Sequence, residues 1–298
     1  MKARTADGIE LYYEEEGQGS PVLFIHEFAG DHRSWAPQVR RFARAYQCIT
    51  YSARGYPPSD VPSELSAYSQ DHAVGDALAV LDVTGADSAH VIGLSMGGFA
   101  ALHLAARHPD RVRSVVVAGV GYGAQPERRE AFRAESHAIA DAFEAEGSGA
   151  VAARYAVGPA RVQLQNKSPQ AWAEFAAALA GHDATGAALT MRGVQAERPS
   201  LYELTDLLRA MRTPLLIVAG DEDEGCLEPA LMLKRTIPTS ALLVMPRTGH
   251  TLNLEDPDAF NEAIATFLTA VENGAWHARD PRSLSSSVTG MPVPNPAA

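Results

Sequence analysis

A serine set among glycines is the first place where the chain could do chemistry. Gly93-Leu94-Ser95-Met96-Gly97-Gly98 follows an apolar run and opens a segment rich in alanine and leucine. That pattern predicts a tight strand-to-helix turn. It lifts the Ser95 hydroxyl above a sheet, and its glycines stand where strand and helix must approach closely. The start of the following helix offers positive partial charge and free N–H groups to a developing oxyanion. The plainer alternative is a serine that only caps the helix. A hydroxyl is a poor nucleophile without a base, and the base needs an acid to orient it. Two later apolar runs end in loops that can supply both. Residues 214–219 lead into Gly220-Asp221-Glu222-Asp223-Glu224-Gly225, and residues 242–245 lead towards Arg247-Thr248-Gly249-His250. His250 is therefore the candidate base, with Asp221, Glu222 and Asp223 all open as its acid. His90, His103 and His108 fall on expected structural elements and are weaker candidates.

The elements that must carry these residues are legible in the hydropathy pattern. Apolar runs at 22–26, 48–51, 90–94, 115–119, 215–219 and 242–245 are continuous rather than alternating, which predicts strands covered on both faces. Between several of them lie amphipathic stretches. Residues 71–83 put Val74, Leu78 and Leu81 on one stripe, residues 97–107 stop at His108-Pro109, and 258–271 carry Phe260, Ile264, Phe267 and Leu268 after Pro257. The alternation predicts an α/β fold, a mostly parallel sheet with helices on both faces. Residues 8–15 fit an antiparallel hairpin strand at its start. Between about 122 and 205 the alternation stops, and helical patterns recur at 127–147, 150–155, 169–180 and 184–194. So long a stretch is read as a helical cap inserted into the sheet domain. Residues 275–298, rich in Ser and Pro, are expected to be a flexible tail. The organisation is thus core at 1–121, cap at 122–205, core at 206–273 and tail at 274–298, with no internal repeat.

Composition narrows the partners. The 298 residues are 46% hydrophobic and 20% charged, with a net charge of −11. Such an acidic surface repels phosphate backbones, so no nucleic-acid partner is expected. No apolar run is long enough for a membrane span, and the N-terminus has no apolar signal segment, so no membrane partner is expected either. The two cysteines, Cys48 and Cys226, have no metal-ligand spacing. They fit a reducing compartment, and a cytoplasmic location is expected. A homodimer is left open.

Five segments in order carry a family likeness: HEFAG (26–30), ARGYPPSD (53–60), GLSMGG (93–98), GDEDEG (220–225) and GHTLNLEDP (249–257). Over residues 8–273 the chain resembles α/β-hydrolase fold enzymes of the capped type with a serine nucleophile. The resemblance implies Ser95 as nucleophile, His250 as general base and Asp223 as acid, with Asp221 next in line. The other acid position used in that family, after the strand ending near Gly119, is empty. The resemblance also implies an oxyanion hole from the Phe28 and Met96 amides, and neither a metal nor an organic cofactor. A serine at the turn argues against dehalogenase or epoxide hydrolase chemistry, which uses Asp there. The chain departs from the family at Glu27, where Gly is usual, and at Ser52, where Asp is frequent. Glu27 is expected to turn to solvent, to pair with Arg33 or Arg54, or to touch substrate. His26 is expected to shape the loop.

The implied reaction is hydrolysis of a small carboxylic ester, thioester or lactone through an acyl-enzyme. Cleavage of a C–C or amide bond by the same triad is the alternative, and a silent ligand-binding protein the second. For the small-molecule substrate, the cap offers Phe132, Phe143, Trp172, Phe175 and Leu189 as pocket wall or as its own core. Arg161 and Arg192 are possible carboxylate ligands or surface cations. Trp35 is expected to pack.

Overall fold

The computed structural model describes residues 1–284 and 289. Among these, eight strands form one sheet: β1 (Lys2–Arg4), β2 (Glu10–Glu16), β3 (Ser20–Ile25), β4 (Tyr46–Tyr51), β5 (Ala89–Leu94), β6 (Val112–Ala118), β7 (Leu215–Gly220) and β8 (Ser240–Met245). Their order is β1-β2-β4-β3-β5-β6-β7-β8. β1 pairs antiparallel with β2, and β2 antiparallel with β4, while the pairs from β4–β3 to β7–β8 are parallel. The opening hairpin strand is thus present, paired with a short strand that its sequence does not announce.

Burial on both faces explains the continuous apolar runs. The helices in chain order are α1 (Ala36–Phe42), α2 (Gln70–Val83), α3 (Met96–Arg107), α4 (Arg129–Tyr155), α5 (Val162–Lys167), α6 (Pro169–Ala180), α7 (Ala184–Thr190), α8 (Thr205–Ala210), α9 (Glu224–Thr236), α10 (Leu252–Glu255) and α11 (Pro257–Glu272). On one face Leu23, Ile25, Val91, Val115, Val117, Leu215 and Ile217 join residues of α2, α3, α8 and α9 in a buried cluster. On the other, Val22, Phe24, Ile92, Leu94, Val116, Leu216 and Val218 meet Trp35, Phe42, Phe260, Ile264 and Phe267. Successive residues of a strand point to opposite faces, so each strand needs apolar side chains at every position. Trp35 packs, as expected, against Phe24 and Phe260.

The break in the alternation corresponds to α4–α8, which lie between β6 and β7 with no strand among them. The helical patterns at 127–147 and 150–155 form the single helix α4, interrupted at Gly147, where φ is 79°. A residue without Cβ makes that turn without steric cost. α7 runs on into a π-helical turn at Met191–Gln195. The short α5 has no clear sequence signal. Phe143, Leu164, Phe175 and Leu179 give this region its own core, which also takes in Phe28 and Met96 from the sheet domain.

The expected tail begins docked. Trp276 packs edge-on against Phe267 at 4.6 Å, and its Nε1–H donates to the Thr239 carbonyl at 2.8 Å. The Arg279 N–H donates to the Pro238 carbonyl. Residues 285–288 and 290–298, which the tail expectation also covers, lie outside the described residues. Among the described residues no helix is long and apolar enough to cross a membrane.

Candidate active site

Ser95 stands between β5 and α3 with φ 52° and ψ −115°. A non-glycine residue rarely adopts a positive φ, and the cost of roughly 1–3 kcal/mol persists only where the surroundings enforce it. Here they do. A Cβ on Gly93 would stand 2.1 Å from the Gly97 carbonyl oxygen, and one on Gly97 would stand 2.1 Å from the Ile25 oxygen. Only glycines let strand and helix come this close. Met96 is the first residue of α3, so its N–H has no acceptor within the helix.

Asp223 and His250 come from the loops after β7 and β8. The His250 Nδ1–H donates to Asp223 Oδ2 at 2.7 Å, and both side chains are buried. Burial opposes the Asp223 charge. The charge and hydrogen bond of His250, with help from Cys226 and Tyr122, outweigh it and hold the carboxyl below its usual range. The two loops are tied together. The Thr248 N–H donates to Asp221 Oδ1 at 3.0 Å, and the Glu222 N–H donates to the Thr248 carbonyl. Asp221 therefore braces the base loop from its exposed position. Glu222 faces Gln163 on the outside. Neither is bonded to His250.

Glu255 grips the base loop from below. Its carboxylate accepts the N–H groups on both sides of His250, from Gly249 at 2.6 Å and Thr251 at 2.8 Å. Tyr122 covers the imidazole, with ring centroids 5.3 Å apart in an edge-on arrangement. Cys226 Sγ, an Asp223 oxygen and a His250 nitrogen lie within 4.8 Å of one another. Three such groups could hold a metal. In this case Asp223 and His250 are committed to each other, and burial keeps Cys226 strongly protonated. Such a pair can serve chemically as an oriented base.

The loop after β3 is set by His26 and Glu27. The Ala53 N–H donates to His26 Nε2 at 3.0 Å, so the other ring nitrogen, Nδ1, carries the proton and donates to the Glu27 carbonyl. Burial lowers the His26 pKa, in keeping with a neutral ring. The Glu27 side chain is 2% exposed and pairs with neither Arg33 nor Arg54. Arg33 binds Asp31, and Arg54 binds Asp7 and Asp76. The partner is Arg161, whose Nη2 lies 2.5 Å from Glu27 Oε2 and whose Nη1 donates to Thr251 Oγ1 at 2.7 Å. Arg161 itself is 1% exposed and stacks on the Phe175 ring. Burial works against its charge, and Glu27 more than restores it. Ser52 Oγ is bonded to His32 Nδ1 and takes no part in the site.

A cavity of about 590 Å³ joins these parts. Ser95, His250, Phe28, Tyr122, Phe132 and Arg161 line it. Glu27, Trp172 and Arg192 do not. Trp172 donates its Nε1–H to the Ala156 carbonyl and packs into the helical core. Arg192 turns outward to Asp141 and Glu144. Phe143 and Phe175 are core residues of the same cluster.

Residues 20–257 match the model of the alpha/beta hydrolase fold family. The chain belongs to that family. A thermophilic esterase from Thermogutta terrifontis, solved with malate bound, is 28% identical and superposes with a TM-score of 0.79 over 91% of this chain and 98% of that one. An N-acyl homoserine lactone degrading enzyme is 26% identical, with a TM-score of 0.71 over 90% of this chain and all of the other. A Caulobacter vibrioides protein provisionally named carbamate hydrolase RutD is 28% identical over 280 residues, 90% of this chain and 98% of that one. The chain is thus a hydrolase of the α/β fold.

Several residues of this α/β-hydrolase's site escape sequence reading. Glu255 lies inside the GHTLNLEDP segment but carries no spacing that marks it as a clamp. Arg198, which also lines the cavity, sits in an aperiodic stretch before Pro199. Cys226 beside Asp223 is a lone cysteine in sequence. Glu255 and Cys226 act on neighbours a few residues away, through local turns whose path the residue types do not mark, whereas Arg198 reaches Tyr122 across 76 positions.

Proposed function

We propose that the chain hydrolyses a small carboxylic ester or related acyl compound through Ser95, His250 and Asp223. The observation that carries this reading is the 2.7 Å bond between His250 Nδ1 and Asp223 Oδ2, at a cavity that the strained Ser95 also lines. The esterase and lactone-degrading relatives agree with it.

The steps follow from the groups present. His250 takes the Ser95 proton as Oγ attacks the substrate carbonyl carbon. Asp223 keeps the imidazole in the tautomer whose Nε2 can accept, and stabilises the imidazolium that forms. The Phe28 and Met96 amides receive the negative oxygen of the tetrahedral intermediate. The C–O bond to the leaving group then breaks, and His250 gives that group its proton. Water, activated by the same imidazole, releases the acid and regenerates Ser95. The helical region between β6 and β7 acts as the cap, with α4, residues 158–161 and the π-helical turn at Met191–Gln195 walling this cavity.

A fluorophosphonate probe tests the reading. Wild-type protein is expected to be labelled, and Ser95→Ala to be blank. Turnover of short 4-nitrophenyl esters should fall by about 10³-fold or more in Ser95→Ala. Labelling that persists in Ser95→Ala overturns the proposal.

A further inference from the structure

Two arginines, the buried Arg198 and the half-buried Arg129, have no counter-charge among the described residues. Arg198 is 3% exposed and forms no ion pair among the described residues. Its guanidinium is bonded to Gln195 Oε1 and, at 2.7 Å, to the Tyr122 carbonyl, and it lies 3.8 Å from the centroid of the Phe99 ring. Beside it, Arg129 donates to the carbonyls of Ala196 and Arg198, while its buried Nη1 has no partner among the described residues. The other arginines at the cavity are neutralised, Arg161 by Glu27 and Arg154 by Glu146. Burial, reinforced by the Arg129 charge, pushes the Arg198 pKa down to about 9, which leaves it charged at neutral pH.

A buried, uncompensated guanidinium is costly unless something anionic completes it. Of its five N–H donors, the two protein bonds use two, and three remain. Arg198 also lines the same cavity as Ser95 and His250, and Tyr122, whose carbonyl it binds, packs on the His250 ring. We propose that Arg198 anchors a carboxylate on the substrate, so that the preferred substrates are acyl compounds carrying a free carboxylate besides the bond that is cleaved. The remaining wall carries Phe28, Phe132, Ile139 and Met191, with the exposed Glu135 also on it, and its apolar part suits a short apolar link between the two groups. This specificity deepens the serine-hydrolase reading and rests on it for the reaction. The anion site itself is defined by Arg198 alone.

The test pairs 4-nitrophenyl hemiglutarate with 4-nitrophenyl pentanoate, which share acyl length and differ in the terminal carboxylate. Wild-type protein is expected to favour the hemiglutarate in kcat/KM. Arg198→Met is expected to lower that ratio at least about tenfold, since charged hydrogen bonds of this kind are lost. Arg198→Lys should retain part of it. A purely structural role for Arg198 would leave the ratio unchanged while lowering stability, and that outcome overturns the proposal. So does a wild-type enzyme that does not discriminate between the two esters. Should Arg198→Met fail to fold, Arg198→Lys and the wild-type ratio decide. Should neither ester turn over, the hydrolase reading fails separately. Calorimetric binding of glutarate, present in the wild type and weakened in Arg198→Lys, then decides the anion site, and its absence sinks it.

Discussion

Asp221 and Asp223 are two positions apart and chemically identical, yet folding gives them different tasks. Asp223 is 1% exposed and bonded to the imidazole, while Asp221 lies at the surface and accepts a backbone N–H. Asp223→Asn replaces a charged, acceptor-only group with an amide that can also donate to Nδ1, so the His250 tautomer is no longer enforced, and kcat is expected to fall on the order of 10⁴-fold, the size associated with neutralising a triad acid. Asp221→Ala removes the acceptor of the Thr248 N–H and with it one hydrogen bond to the base loop. It should cost about 1 kcal/mol of stability and leave turnover nearly intact. Steady-state kinetics and urea denaturation of the two variants check the assignment. Similar losses of turnover in both would count against it. The sequence narrowed the acid to this loop and preferred Asp223 by family likeness. The deciding fact, which carboxylate faces the imidazole, depends on the path of a turn.

At the scale of elements, a strand-end loop, the base loop and the helical insert are joined through Arg161. Its side chain reaches from the start of α5 to Glu27 after β3 and to Thr251 beside His250. The glutamate that departs from the family pattern is thus the partner of an arginine from the insert, and its carboxylate is turned away from the cavity. Sequence reading flagged both residues but could not pair them across 134 positions. A buried pair is sensitive to losing one member. Arg161→Met is expected to destabilise the protein by about 3–5 kcal/mol, because it strands the Glu27 charge. Adding Glu27→Gln should recover a large part of that loss. Chemical denaturation of the single and double variants measures the coupling, and simple additivity of the two losses would argue against it.

For the whole molecule, part of the acid sensitivity comes from two buried histidines. His103 and His182 have no partner for either ring nitrogen among the described residues. Burial lowers each pKa from 6.5 to about 4. The unfolded chain therefore binds protons at higher pH than the folded one. Stability is full above pH 6.5 and declines as pH falls towards 4, by up to ~1.4 kcal/mol per pH unit for each group. Urea midpoints measured across that window should show the slope. His103→Leu combined with His182→Leu should make it shallower, the buried His26 still contributing, and an unchanged slope in the double variant would contradict the assignment.

The alternation of apolar strands and amphipathic helices determined the doubly covered sheet, because burial on both faces demands apolar side chains at consecutive positions. The glycines around Ser95 determined the strained turn, because no side chain fits between Gly93 and the Gly97 carbonyl. Such constraints are local, so the order of residues carries them. Tertiary structure alone decided that Arg161 meets Glu27 and that Arg198, among the described residues, is left without a carboxylate. Charge pairing in a low-dielectric interior depends on which side chains are brought within a few ångströms. Residues far apart along the chain, such as Arg161 and Glu27, acquire that proximity only on folding.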